Sequence, residues 1–136
     1  MKDDEKSCII RILCHYSQRL SDLKNHDDIK NGNSILKRDL DENSKNAKDL
    51  SENFRADFNY LINTDIGKII CLAARCYVYD LQNSQKKARE LLGGINTDFK
   101  NTKSEMDMAN KIKSIIGCNN ISFAEDKEDI STFGTL

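Results

Sequence analysis

DIGKIICLAARCYVYDL, residues 65–81, decides the fold class of this 136-residue chain. Apolar residues occupy almost every face of a helix drawn through this stretch, and such a helix belongs inside a bundle, surrounded by amphipathic helices. Gly67, Cys71 and Ala74 lie at i, i+4 and i+7, which makes one narrow stripe of small side chains. Small side chains let another helix backbone approach closely, and Lys68 stands beside them as a partner for an acid. The stretch therefore favours a receptor for a helix.

The rest of the chain has the spacing of amphipathic helices. It contains no proline, and apolar residues recur at intervals of three and four, which indicates an all-α fold. The first helix is predicted to end near Asn25. The segment 34–61 is weakly apolar around residues 41–45, which predicts two helices or one kinked helix. The pair 93–94 and Gly117 predict the ends of the last two long helices, because glycine supplies a left-handed cap.

Cap signals also divide the second half of the chain. Either Asn63 or Thr64 is expected to cap the central helix. Residues 122–125, SFAE, have capping-box spacing and predict a short final helix. We therefore expect one helical domain over residues 1–125, followed by an acidic, frayed tail over residues 126–136.

Composition excludes several functional classes. With 21 basic against 22 acidic residues, the chain lacks the positive field that holds nucleic acid. The longest apolar run is interrupted by charges and is too short to span a bilayer. The N-terminus lacks the apolar core of a secretory signal. We therefore expect no nucleic-acid partner and no direct membrane anchor.

The cysteines form an odd set of five without Cys-x-x-Cys spacing. Three or four of them lie on the apolar faces of predicted helices, where a free cysteine packs as a small hydrophobe. This pattern argues for a reducing compartment, with the cytoplasm as the expected location, rather than for a disulfide scaffold.

No residue pattern specifies a reaction. His15 and His26 are the only histidines, and neither has a second ligand at metal-site spacing. Neighbouring residues on a helix point about 100° apart. Cys14 and His15 therefore do not make a nucleophile–base pair, and we expect Cys14 in the core and His15 in solvent. We predict a binding protein rather than an enzyme, without catalytic residues, metal or cofactor.

Residues 60–70, YLINTDIGKII, resemble the BH1 motif of the Bcl-2 family. That motif places an aromatic residue seven positions before the glycine of an Asn-Trp-Gly-Arg-Ile core. Tyr60 takes the place of the aromatic residue, and residues 65–69 follow the core in order. Only Gly67 and Ile69 are identical, whereas the other positions keep the chemical character of the motif.

Two further segments are similar to motifs of the same family. Residues 36–41, LKRDLD, resemble a BH3 segment with Leu40 in the position of its glycine, and residues 115–123 echo BH2 without its tryptophans. The interval between the BH3-like and the BH1-like segment is shorter than in cellular members of the family, which implies that the second and third helices are shortened. Compact members of this kind without an anchor are typical of large DNA viruses.

The resemblance implies a Bcl-2-like bundle built around residues 65–81, with a hydrophobic groove that binds BH3 helices. In such a complex Lys68 pairs with the ligand's aspartate, and Asp65 meets a polar or basic ligand residue. Gly67 leaves room for the ligand's small residue. The resemblance assigns the remaining ligand contacts to Leu50, Phe54, Phe58, Tyr60 and Cys71.

The expected function is therefore that of a viral inhibitor of host apoptosis, which sequesters BH3 segments of pro-apoptotic proteins. Its expected location is the host cytoplasm, with access to mitochondria through partners. Two alternatives stay open: a viral module of the same fold that acts on signalling adaptors through a homodimer or another face, and an unrelated helical assembly protein. Binding of a BH3 peptide separates the first from the expected function, and a large apolar patch outside the groove favours the second.

Overall fold

The computed structural model describes residues 1–32, 34–94 and 98–118. These residues form six helices and no strand, which confirms the all-α class. The helices are α1 (Asp3–Lys24), α2 (Asp27–Lys30), α3 (Ser34–Glu52), α4 (Phe58–Leu61), α5 (Asp65–Leu91) and α6 (Lys100–Ile116). In this part of the chain no helix is both long enough and apolar enough to cross a membrane. The predicted final helix at residues 122–125 and the tail 126–136 lie outside the described residues.

Local cap chemistry ends the helices where the sequence predicts. α1 is followed by Asn25 as its C-cap residue. Thr64 caps α5, because its Oγ1 accepts a hydrogen bond from the backbone N–H of Gly67 at 3.0 Å. α5 ends shortly before Gly93, and Gly117, with a φ of 82°, ends α6. The predicted ends of the long helices are confirmed.

The break within segment 34–61 lies later than predicted. α3 continues through residues 41–45 because this stretch packs on α1 through serines rather than large apolar side chains. The hydroxyl of Ser17 donates to the carbonyl of Ser44 at 2.7 Å, and the hydroxyl of Ser44 donates to the carbonyl of Ser17 at 2.7 Å. The helix ends at Glu52, and a non-helical link leads into α4.

The helix at the centre of the described bundle is α1. It packs against α3, α5 and α6. Its buried apolar residues include Cys8, Ile9, Ile12, Leu13, Tyr16 and Leu20. α5 packs against α1, α4 and α6, but it leaves Lys68 and Ile69 exposed. The prediction of a helix enclosed on all sides over residues 65–81 is therefore corrected, since one face of α5 meets solvent.

The second half of α5 extends beyond the packed part of the bundle. Asn83 and Ser84 continue the helix rather than break it, and none of the side chains over residues 82–92 is buried. Leu91 is 80% exposed. This arm presents apolar and basic side chains to solvent far from the helix start at residue 65.

One pair of cysteines is bonded. Cys71 in α5 forms a disulfide with Cys118, which follows α6, and their Cα atoms are 5.6 Å apart. Cys8, Cys14 and Cys76 form no disulfide, and of these Cys8 and Cys76 are buried whereas Cys14 is exposed. The interpretation of the cysteines as free hydrophobes is wrong for the bonded pair, because the fold brings together two residues that are 47 positions apart.

Candidate functional site

A surface groove of about 490 Å³ lies where α3, the link after it, α4 and the first turn of α5 meet. It is mostly apolar, with two charged side chains and one amide in its lining. The lining residues are Leu50, Asn53, Phe54, Arg55, Ala56, Asp57, Tyr60 and Ile66. We refer to this feature as the groove.

Residues at the end of α3 and at the start of α4 shape the groove through local packing and capping. Phe54 is only 1% exposed, so its ring enters the core and forms the floor. Asp57 caps α4, because its Oδ1 accepts a hydrogen bond from the backbone N–H of Tyr60 at 3.0 Å. Tyr60 is 57% exposed and stands at the rim. The groove thus has a fixed apolar floor and an aromatic rim that a ligand can cover.

Arg55 is the cation of the groove. Its guanidinium donates only a long hydrogen bond, 3.5 Å, to the carbonyl of Phe54. No carboxylate among the described residues forms an ion pair with it. Asp57, the acidic residue of the lining, accepts the cap hydrogen bond of α4 through its Oδ1. A ligand carboxylate that reaches this rim can therefore pair with Arg55 in two parallel hydrogen bonds.

Three of the residues that the sequence assigned to ligand contact, Leu50, Phe54 and Tyr60, line the groove together. Ile66, which stands in the tryptophan position of the BH1-like segment, lines it as well. Phe58 is half-buried and packs against the core instead. The contact of these residues with a ligand stays a prediction.

Gly67 and Cys71 face the interior. A Cβ atom at Gly67 would overlap the carbonyl oxygen of Leu61 and would lie 3.4 Å from Cγ2 of Ile116. The space that the resemblance assigned to a ligand residue is therefore filled by the end of α4. Cys71 is fully buried and bonded to Cys118. Both residues have a packing role in place of the predicted ligand contact.

The two predicted charge contacts lie outside the groove lining. Asp65 and Lys68 are both exposed on the first turn of α5. Ile66, which lies between them in the chain, does line the groove. Their contact with a ligand stays a prediction.

A polar cluster that the sequence did not reveal joins α1, α5 and α6. Glu105 accepts hydrogen bonds from Nη2 of Arg11 at 2.8 Å and from the hydroxyl of Tyr77 at 2.6 Å. The hydrogen bonds from Arg11 lower the pKa of Glu105, and burial, followed by the Glu105 carboxylate, raises the pKa of Cys8 to about 12. Cys8 therefore stays a thiol, and the cluster holds helices together rather than supplying a nucleophile.

A second cluster corrects the expectation for the Cys14–His15 pair. Cys14 is exposed, whereas His15 is half-buried, with its Nε2 2.9 Å from Oδ2 of Asp80. Arg19 pairs with the same carboxylate, and the rings of His15 and Tyr77 pack edge to face with a centroid distance of 5.1 Å. Burial lowers the pKa of His15, although Asp80 opposes the shift. None of the described hydrogen bonds joins His15 to a hydroxyl or thiol, so a nucleophile is missing from this cluster.

Within the described ranges, no group of three His, Cys, Asp or Glu side chains has the geometry to bind a metal ion. Comparison with known proteins finds no matching family model, no matching curated protein and no matching solved structure. The resemblance to the BH1 motif accordingly depends on residues 60–70 of this chain alone.

Proposed function

We propose that this protein binds amphipathic helices in the groove, and that its ligands are BH3 segments of pro-apoptotic host proteins. By sequestering them it would act as a viral inhibitor of apoptosis. The observation that carries the proposal is the groove itself, in which Leu50, Phe54 and Tyr60 lie beside Ile66 of the BH1-like segment. These residues come from separate elements, and the fold gathers them at one surface.

The composition of the groove supports this proposal. An amphipathic helix docks through apolar anchors spaced at i, i+3 or i+4, and i+7. The volume of the groove is about 490 Å³. The apolar floor at Phe54 and the exposed ring of Tyr60 offer the hydrophobic contact, and Arg55 offers a charge partner for an acidic ligand residue. BH3 helices combine these features, since they carry apolar anchors and an aspartate.

The test is isothermal titration of the protein with a panel of BH3 peptides. The variant Tyr60→Ala removes an exposed ring and should leave the fold intact, while it weakens binding by about tenfold or more if the ring is an anchor. The control is Leu91→Ala, which removes an exposed side chain on the arm of α5 and should bind as the unchanged protein does. Absence of binding across the panel, or equal binding by Tyr60→Ala, would contradict the proposal.

A second candidate function is assembly, in a homodimer or with another protein, through a face outside the groove. Leu91 and Leu92 are exposed at the end of the α5 arm, away from the groove lining. Such side chains favour a contact surface when they lie together. Sedimentation equilibrium of the unchanged protein and of Leu91→Asp tests this function, which predicts a concentration-dependent mass that the variant loses.

A further inference from the structure

The end of α4 and the end of α6 pack closely against the start of α5 beside the groove. At this junction Gly67 of α5 lies against the carbonyl of Leu61 at the end of α4 and against Ile116 in the last turn of α6. One turn further along α5, Cys71 is bonded to Cys118, the second residue after α6. The disulfide therefore fixes the end of α6 at the point where α4 and α5 touch.

α4 depends on this junction for its position. It has only four residues, Phe58–Leu61, far below the roughly 12–15 residues that an isolated helix needs. It packs against α5 and α6. Tyr60 of α4 and Ile66, the neighbour of Gly67, form one wall of the groove. A shift of the end of α6 would therefore displace Leu61 and, with it, the wall of the groove that α4 contributes.

The other end of α6 is held independently of the disulfide. Glu105 in the first half of α6 bonds to Arg11 of α1 and to Tyr77 of α5. Release of Cys118 would therefore remove the covalent tie from the last turn of α6 without detaching the whole helix. The consequence of breaking the bond is local, and it falls on the wall of the groove.

We infer that the Cys71–Cys118 disulfide is a redox switch that sets the order of α4 and hence the shape of the groove. In the oxidised protein the junction is closed and the groove is preformed. In the reduced protein the end of α6 separates from α5, and α4 loses the support that positions Tyr60. The inference depends on the proposed function only where ligand affinity is concerned.

The reductant would be a dithiol. One of its thiolates attacks the sulfur of Cys118 and releases the sulfur of Cys71, which takes up a proton. The second thiol then attacks the mixed disulfide and releases Cys118 as a thiol, while the reductant closes to its own disulfide. Two electrons and two protons pass to the protein. Both cysteines are buried, so the reductant would reach Cys118, which follows Gly117 at the helix end, only through local opening of the last turn.

The experiment is hydrogen exchange of the oxidised protein, of the protein reduced with dithiothreitol and of the variant Cys118→Ala. We expect the amides of residues 58–67 to exchange about tenfold faster or more in the last two samples. The α1 amides around Ser17 should stay protected over the first minutes. The control variant Cys14→Ala, which changes an exposed free cysteine, should behave as the unchanged protein. Reoxidation with glutathione disulfide should restore slow exchange.

Three outcomes would overturn the inference. They are unchanged exchange of residues 58–67 after reduction, immediate loss of protection throughout α1 and α3, and failure of reoxidation to restore slow exchange. The second outcome would make the disulfide a staple of the whole fold rather than a local switch. A parallel titration with a BH3 peptide separates this inference from the proposed function: if no peptide binds in either state, the proposed function fails, while the exchange data still decide the role of the disulfide.

Discussion

The two sides of the bundle are built in different ways. α1 and α3 are long helices that pack along their length, and the reciprocal hydrogen bonds of Ser17 and Ser44 fix their register. On the other side, α4 has four residues and packs against Gly67 of α5 and beside the end of α6, which the Cys71–Cys118 disulfide holds. The groove lies on this second side. The difference is that long helices contact each other along their length on one side, whereas on the other a very short helix packs at Gly67 and beside the end of α6 that the disulfide holds.

The largest effect on stability is expected at Gly67. The variant Gly67→Ala places a methyl group against the backbone carbonyl of Leu61, which cannot move without displacing α4. We expect the free energy of unfolding, measured by urea titration, to fall by about 2 kcal/mol, the usual cost of overpacking. The control Ser84→Ala lies on an exposed turn of the same helix and should change stability by no more than a few tenths of a kcal/mol. Equal effects of the two variants would contradict the close approach at Gly67.

The next largest effect on stability is expected where α1 packs on α3. Ser17→Ala removes one hydroxyl from the reciprocal pair with Ser44 and should lower the free energy of unfolding by about 1 kcal/mol, since this is the net contribution of one hydrogen bond. The double variant Ser17→Ala with Ser44→Ala should cost less than the sum of the two single changes, because the residues share one network. Full additivity in a urea-based double-mutant cycle would show that the pair does not act as a unit.

The free energy of unfolding should depend on pH through His15 of α1. Because burial lowers the pKa of His15 in the folded protein, the unfolded chain binds the proton more readily. The free energy of unfolding should therefore fall as the pH drops below about 6.5, the ordinary pKa of histidine. The fall should level off once the pH is below the pKa of the folded state.

The matched control for this pH dependence is His15→Gln, which keeps a polar side chain beside Asp80 but does not titrate. Urea titrations at about pH 7.5 and about pH 5.5 should show a smaller loss of stability for the variant than for the unchanged protein. Identical losses would place the origin of the pH dependence elsewhere.

The smallest effect is expected for the charges near the groove. Arg55→Gln should weaken binding of a BH3 peptide by about threefold, because an exposed ion pair contributes little in water. Lys68→Gln, at the position that the BH1 resemblance favoured, should have a smaller effect, since Lys68 lies outside the groove lining. A larger loss of peptide affinity for Lys68→Gln than for Arg55→Gln in isothermal titration would instead assign the charge contact to Lys68 at the start of α5.

The sequence predicted those features that short-range chemistry decides. Thr64 and Gly117 mark helix ends because caps involve only a few neighbouring residues. Leu50, Phe54 and Tyr60 were assigned to the groove from their spacing and from the BH1-like segment, and the fold brings them together. The sequence thus grouped three residues that share one surface, and their contact with a ligand stays a prediction.

The features that the sequence missed depend on distant pairs. The bond between Cys71 and Cys118 and the contact of His15 with Asp80 each join residues far apart in the chain, and no local signal announces them. The resemblance predicted that Gly67 leaves room for a ligand residue, whereas in the fold the end of α4 occupies that space. A small residue signals close approach but does not identify the backbone that approaches.

The most direct test of the groove as the binding surface is a two-dimensional amide NMR titration of the labelled, oxidised protein with a BH3 peptide. The account predicts that the largest shift changes fall on residues 50–66, with the amides around Ser17 and Leu91 unmoved. Shift changes that cluster on the arm of α5 at residues 82–92, or no shift changes at millimolar peptide, would contradict it.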